Sequence, residues 1–408
     1  MSTWNYSTAD ESNLMKIKYE KIIEKQFNAS TPLFARAKKK TDFVGSQKDI
    51  AVVQSHGGGV GAGSLPTSSV NKIGKAIVTS KKLYAVVSID RESMKAARTD
   101  EGAFVRFTKF PVEIATKSFN RNLERQMTIG DASGSGVLSV GDNSTNVTGS
   151  GSAATPYVVT LQSDAVMDSF EEGDLINVNS ETTDLEIVDI DVANKTLDLV
   201  GTSTTLAGLA GSGPLANTDS LYMQGSKDNE IIGLRGVLSA TAGSLYSIAV
   251  GRRWKSYQKD ASSASLSTDL MNDIVLNVKK QCGESPNMIL TSYVQYIKLL
   301  NLLEDQKRYP IQPRDPELKG IVSFNALSYM SADGEIPVIP SRFMYDDEMF
   351  FLNDRHIELH LRGPFEWFDE DGTVFLRESG DSYEARYGGY GEHFCNPHFQ
   401  GYLHSLAV

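Results

Sequence analysis

Apolar residues recur at every fourth position through the second half of TDEGAFVRFTKFPVEIATKSFNRNLERQMTI, residues 99–129, where Ala115, Phe119, Leu123 and Met127 fall on one face. That spacing predicts a long helix with a narrow buried stripe and with Lys117, Arg121, Asn122 and Arg125 on its other faces. Pro111 is compatible with a helix start or a kink, and GDASGSG ends the helix in a loop. A second helix is predicted over STDLMNDIVLNVKKQCG, with Leu270, Ile274, Val278 and Cys282 on one side. Ser267 caps its start, Lys279 and Lys280 suit the negative end of the helix dipole, and Gly283 supplies the stop. SPNMILTS then reads as a buried strand, followed by a helix in VQYIKLLNLLEDQKRYP that Pro310 closes.

Elsewhere the period is two. IAVVQS at 50–55 and KIGKAIVTSKKLYAVVSIDRE at 72–92 alternate in pieces and are rich in β-branched residues, predicting an extended two-stranded excursion. From Leu138 to Gln224, short alternating runs (YVVTL, DLINV, LEIVDIDV, KTLDLVG) are separated by turn residues, which predicts a barrel or sandwich of five or six strands. Helical texture on both sides marks this segment as an inserted domain. After the third helix come short strands in GEIPVIPSR, EMFFLN, HIELHL and TVFLR. The first ~45 residues are polar, allow a short helix over Leu14–Lys25, and read as an arm without its own core. The fold class is α+β with a β insertion.

Charge sharpens this division. Residues 1–138 carry 21 Lys+Arg against 13 Asp+Glu, residues 139–224 carry Lys195 alone against 13 acids, and the remainder carries 18 against 25. The pattern suggests complementary surfaces within an assembly, and it argues against a dedicated nucleic-acid binder. No apolar run reaches the ~18 residues of a membrane span, and no signal-peptide core is present. Two cysteines, Cys282 and Cys395, fit a reducing compartment.

Candidate chemistry is sparse. SHGGGVGAGSLP, Ser55–Pro66, resembles an oxyanion-hole loop, but no G-x-S-x-G nucleophile accompanies it. G-x-G-x-x-G fails at Ala62, and no phosphate-cradling G-x-x-x-x-G-K-[ST] occurs. His393, Cys395, His398 and His404 match no common zinc spacing, and DEDG at 369–372 lacks the later ligands of a calcium loop. No catalytic residue, cofactor site or metal site is assigned.

The order of segments is more telling. LYAVVSIDRESMKAARTDEGAF running into VEIATKSFNRNLERQMTIGDASG, then GLRGVL, ESPNMILTSYVQYIKLLNLLEDQKRYP, GEIPVIPSRF and SYEARYGGYGEHFCNPHF resembles the major capsid proteins of tailed bacteriophages, the Hong Kong 97-type fold. The resemblance covers most of the chain except 139–224. It implies an arm over 1–45, an extended loop over 46–98, a peripheral domain with its spine helix over 99–138, the inserted domain over 139–225, and an axial domain with the rest of the peripheral domain over 226–408. The function implied is a non-enzymatic shell subunit in the virion, assembled in the host cytoplasm into pentamers and hexamers around double-stranded DNA that it contacts non-specifically. A separate scaffold protein, a portal and a decoration protein are the further partners implied, with no membrane. The glycines Gly57, Gly58, Gly59, Gly61 and Gly63 then become a hinge at the start of the extended loop. Lys72, Lys75, Lys81 and Lys82 become inter-subunit contacts, facing Asp369, Glu370 and Asp371 or Asp346, Asp347 and Glu348 of a neighbour. A cargo-enclosing compartment shell of the encapsulin kind is the alternative, and a β-rich adhesion or glycan-binding protein a more distant one.

Overall fold

The computed structural model describes residues 3–5, 31–55, 72–90, 101–305, 327–368, 376–377 and 382–408. The glycine hinge, the acidic turn Asp369–Asp371, the N-terminal helix and the Pro310 stop lie outside these residues.

The main sheet is built around two long strands. Lys81–Asp90 pairs antiparallel with Ser382–Cys395 over ten consecutive positions, from Gly391 opposite Lys81 to Ser382 opposite Asp90. Ile357–Leu361 joins the far end of Ser382–Cys395, and Lys38–Lys40 adds in parallel beside it. Thr3–Asn5 lies parallel to Lys81–Asp90 on the other side. The helix Glu101–Ile129 crosses this sheet and continues through Pro111. Its predicted stripe is buried: Ala115 packs on Val87 and Ile89, while Phe119, Leu123 and Met127 enter the main core with Leu83.

Gln47–Ser55 and Lys72–Thr79 form a hairpin, but the rest of the expected excursion, Lys81–Asp90, belongs to the main sheet, because Ser382–Cys395 pairs along its whole length. A second sheet runs in the order Tyr257–Asp260, Gly401–His404, Met349–Leu352, Met288–Thr291, Gly334–Pro340, Leu327–Ser331. Both of its faces are covered. Ile289, Phe351 and Leu403 meet the helices Thr268–Cys282 and Tyr293–Asp305, whereas Met288, Leu290, Phe350 and Leu352 face the main core. Burial on both sides explains why these strands read as continuous apolar runs.

The helix Thr268–Cys282 has the predicted ends: the Ser267 hydroxyl accepts from Leu270 N, and Gly283 is left-handed at φ +84°. Ser267→Ala is expected to destabilise the protein by about 1 kcal/mol, the usual worth of such a cap, measured by chemical unfolding.

Residues 137–223 form a six-stranded sheet in the order Val137–Val140, Ser220–Met223, Leu175–Val178, Leu185–Asp191, Thr196–Gly201, Tyr157–Thr160. Its first and last members meet: Asp142 N donates to Thr160 O at 3.1 Å and Gln162 N to Val140 O at 3.2 Å, so the sheet curls toward closure. Inward residues including Val159, Ile176, Ile187, Leu197 and Leu221 make a core separate from the main one. The chain leaves the body after Gly130 and re-enters at Gly233, and these two segments touch backbone to backbone.

Candidate assembly surfaces

Among the described residues the hairpin is anchored to the body at one end and exposes apolar side chains toward the other. Ala76 and Val78 are fully buried in the main core, and Ile77 N donates to Tyr246 O. Near the other end Val53 and Ile73 lie directly opposite each other, 66% and 67% exposed. A two-stranded ribbon is marginal in water by itself, so an exposed cross-strand apolar pair at its end is the feature a partner would cover.

The four lysines do not act as one face. Lys72 and Lys75 sit on the hairpin, and Lys75 Nζ reaches Asp49 Oδ2 at 2.7 Å, an exposed pair of small worth. Lys81 and Lys82 begin the strand of the main sheet, and Lys81 Nζ donates to Asp228 O at 2.7 Å within the same chain. On the acidic side, Asp346 is exposed, but Glu348 is unavailable to a neighbour. It is buried, held by Arg235 Nε at 3.0 and 3.1 Å, and accepts from the Tyr402 hydroxyl at 2.7 Å.

The long helix carries charges that its apolar stripe did not disclose. Arg121 and Arg125, expected away from the stripe, are buried. Arg125 pairs with Glu230, which also accepts from Ser226. Arg121 pairs with Glu171 and reaches Asp174 Oδ2 at 3.4 Å, tying the helix to the six-stranded module. Between them Glu124 accepts Leu33 N at 2.9 Å and Phe34 N at 2.7 Å, satisfying donors in the first turn of the short helix Pro32–Arg36. The spacing Arg121, Glu124, Arg125, Thr128 was the available signal, because it forms a second stripe beside the apolar one.

A second polar grip holds the returning chain. Glu392 Oε1 accepts Ile232 N at 2.7 Å, and the neighbouring His393 Nδ1 lies 2.8 Å from Ile232 O. Since a carbonyl only accepts, His393 Nδ1 carries the proton, and burial holds this imidazole down at about 4, in the neutral form. Burial pushes the Glu392 carboxyl up to about 8 and the Glu124 carboxyl up to about 7, against the lowering effect of their N–H donors. A carboxyl raised on folding binds its proton more tightly in the folded state, so its stabilising contribution is lost as pH rises toward the folded value. Between about pH 4 and 6.5 the neutral His393 partly offsets the two carboxyls, and above 6.5 they act unopposed by it. Stability is expected to fall from about pH 4.5 to about pH 8, where both carboxyls are ionised in the folded state, and Glu392→Gln to flatten that slope in urea unfolding series.

The C-terminal His/Cys set does not converge. His398 Nδ1 lies 2.9 Å from Gln281 Nε2, His404 Nδ1 meets Ser405 Oγ at 2.9 Å, and burial raises the Cys395 thiol far above its ordinary value. Among the described residues no three His, Cys, Asp or Glu side chains are placed to hold a metal.

The SU10 major capsid protein family model matches residues 214–389. No curated protein matches the sequence. Among solved structures the chain resembles the cyanophage A-1(L) capsid asymmetric unit at a TM-score of 0.52 and 10% identity, covering 93% of this chain and 94% of that one. The capsid of an empty GTA particle computed with C5 symmetry gives a TM-score of 0.47 at 9% identity, covering 93% and 97%. The capsid of Myoviridae phage XM1 gives 0.42 at 9%, covering 92% and 91%.

Proposed function

We propose, starting from a chain that is a tailed-phage major capsid protein and forms the capsid shell, a division of labour among its parts. The observation that carries the premise is the major-capsid family match over 214–389 inside a chain whose whole fold resembles a phage capsid subunit. Such a subunit is structural and not an enzyme, and it resides in the virion capsid.

In this reading residues 1–45 are an arm, 46–98 an extended loop and 99–138 the spine of a peripheral domain. Residues 139–225 are an insertion, and 226–408 complete the axial and peripheral parts. The hairpin with Val53 and Ile73 exposed opposite each other supports the extended-loop role. The separate core of the six-stranded module and its return through a narrow neck support the insertion. Copies assemble through heterologous contacts closed into rings of five and six. Exposed ion pairs between copies set register, while buried apolar contacts supply the stability. The acidic insertion projects away from packaged DNA, where its charge would be repelled. Scaffold, portal and decoration proteins complete the proposed set of partners, with assembly in the host cytoplasm.

The test is negative-stain electron microscopy of the chain expressed alone and with its neighbouring genes. Closed shells, tubes or five- and six-membered rings are expected. A compact monomer under every assembly condition would overturn the reading.

A further inference from the structure

A groove of about 490 Å³ opens between the start of the strand Lys81–Asp90, the long helix and the edge of the six-stranded module. Leu83, Phe119 and Leu123 give it an apolar floor, and Lys81 and Lys82 make it cationic, the charge of Arg125 being met by Glu230. Arg125 is only 2% exposed. Glu230 occupies its terminal nitrogens, but its Nε has no hydrogen-bond partner among the described residues, and neither has the buried Oδ1 of Asn122 beside it. Buried polar atoms are normally paired. Both atoms are enclosed, so what the groove presents to a partner is an apolar floor with cationic side chains on its wall. Lys82 is exposed on the groove wall and has no ion-pair partner among the described residues.

The same chain carries a segment of matching chemistry. In the module, Asp189 and Asp198 stand directly opposite each other across neighbouring strands, an arrangement that like charges disfavour unless a cation is near. Beside them Val188 and Val192 are 48% and 62% exposed. This hairpin presents apolar side chains and carboxylates together, in a region with 13 acids and one lysine.

We propose that the groove receives the hairpin 185–201 of a second copy of this chain, with Lys82 meeting the Asp189/Asp198 pair. The proposal rests on the shell-subunit reading and adds a specific contact to it. A contact of this kind joins the basic and acidic parts of the sequence between copies.

The test is zero-length carbodiimide cross-linking of particles assembled from a mixture of light and heavy nitrogen-labelled chains, read by mass spectrometry. Lys82 is expected to be joined to a carboxylate of 185–201 in peptide pairs of mixed label. Particles in which Lys82 is joined only within its own copy, to another protein, or not at all would overturn the groove contact and leave the shell reading standing. Failure of the chains to form any oligomer would overturn both. As a second arm, Lys82→Glu and Asp189→Lys are each expected to lower particle yield severalfold, and the double variant to restore it. A double variant no better than either single one counts against the contact.

Discussion

Glu230→Ala is expected to destabilise the subunit by about 3–5 kcal/mol, because it leaves the Arg125 guanidinium buried without its counter-charge. Both partners are almost fully enclosed, at 2% and 3% exposure, so solvent cannot take over the role of the carboxylate. The same substitution also removes the acceptor used by Ser226. The decisive comparison is the double variant Arg125→Met/Glu230→Leu, which removes both charges and keeps the volume apolar. It is expected to recover most of the loss, since replacing a buried pair with packed apolar residues is often neutral or stabilising. Urea unfolding of the unassembled subunit measures all three proteins. A double variant as unstable as the single one would mean that the pair specifies the local structure in addition to satisfying charge.

Gly236→Ala is the second large effect, and here two forces predict opposite signs. Gly236 lies within the short helix Leu234–Ser239, where alanine is the better helix former by about 1 kcal/mol. A Cβ at this position, however, would lie 2.0 Å from Ala132 N and 2.2 Å from Asp131 C, where the chain leaves the long helix. Gly233 and Gly130 approach each other just as closely, with a Cβ on Gly233 falling 2.4 Å from Gly130 Cα. Every obstructing atom is backbone, so relief requires the two helices to separate. Overpacking of that kind costs about 3 kcal/mol, at the upper end of its usual range, and it outweighs propensity. Gly208→Ala is the control: that glycine is exposed in the helix Thr204–Leu209 with open space around it, and alanine there is expected to stabilise by up to about 1 kcal/mol.

These two sites mark the limit of what the sequence discloses. Local features were legible. The stripe Ala115, Phe119, Leu123, Met127 and the caps Ser267 and Gly283 each depend on neighbours within one or two turns. The alternating runs of 137–223 were legible because each strand buries one face. Arg121, Glu124 and Arg125 were not, because charged residues default to solvent and only the converging arm, module and neck remove it. Glu348 reads as part of an acidic run with Asp346 and Asp347, and only the fold brings Arg235 and Tyr402 to it. Of the candidate contact residues, the lysines separate into two groups, and the hairpin exposes the apolar pair Val53 and Ile73, which no charge pattern marks.

The pairing of Lys81–Asp90 with Ser382–Cys395 has a consequence for how the subunit is made. Its two strands stand about three hundred residues apart in the chain, so the centre of the main sheet is among the last structures a growing polypeptide can complete. Until the C-terminal strand emerges, Lys81–Asp90 lacks its principal partner, and an open strand edge invites pairing with other chains. The six-stranded module, whose strand pairings and core all close within residues 137–223, can form during synthesis, well before that edge is sealed. Release from the ribosome therefore coincides with the moment at which aggregation and productive folding compete most directly.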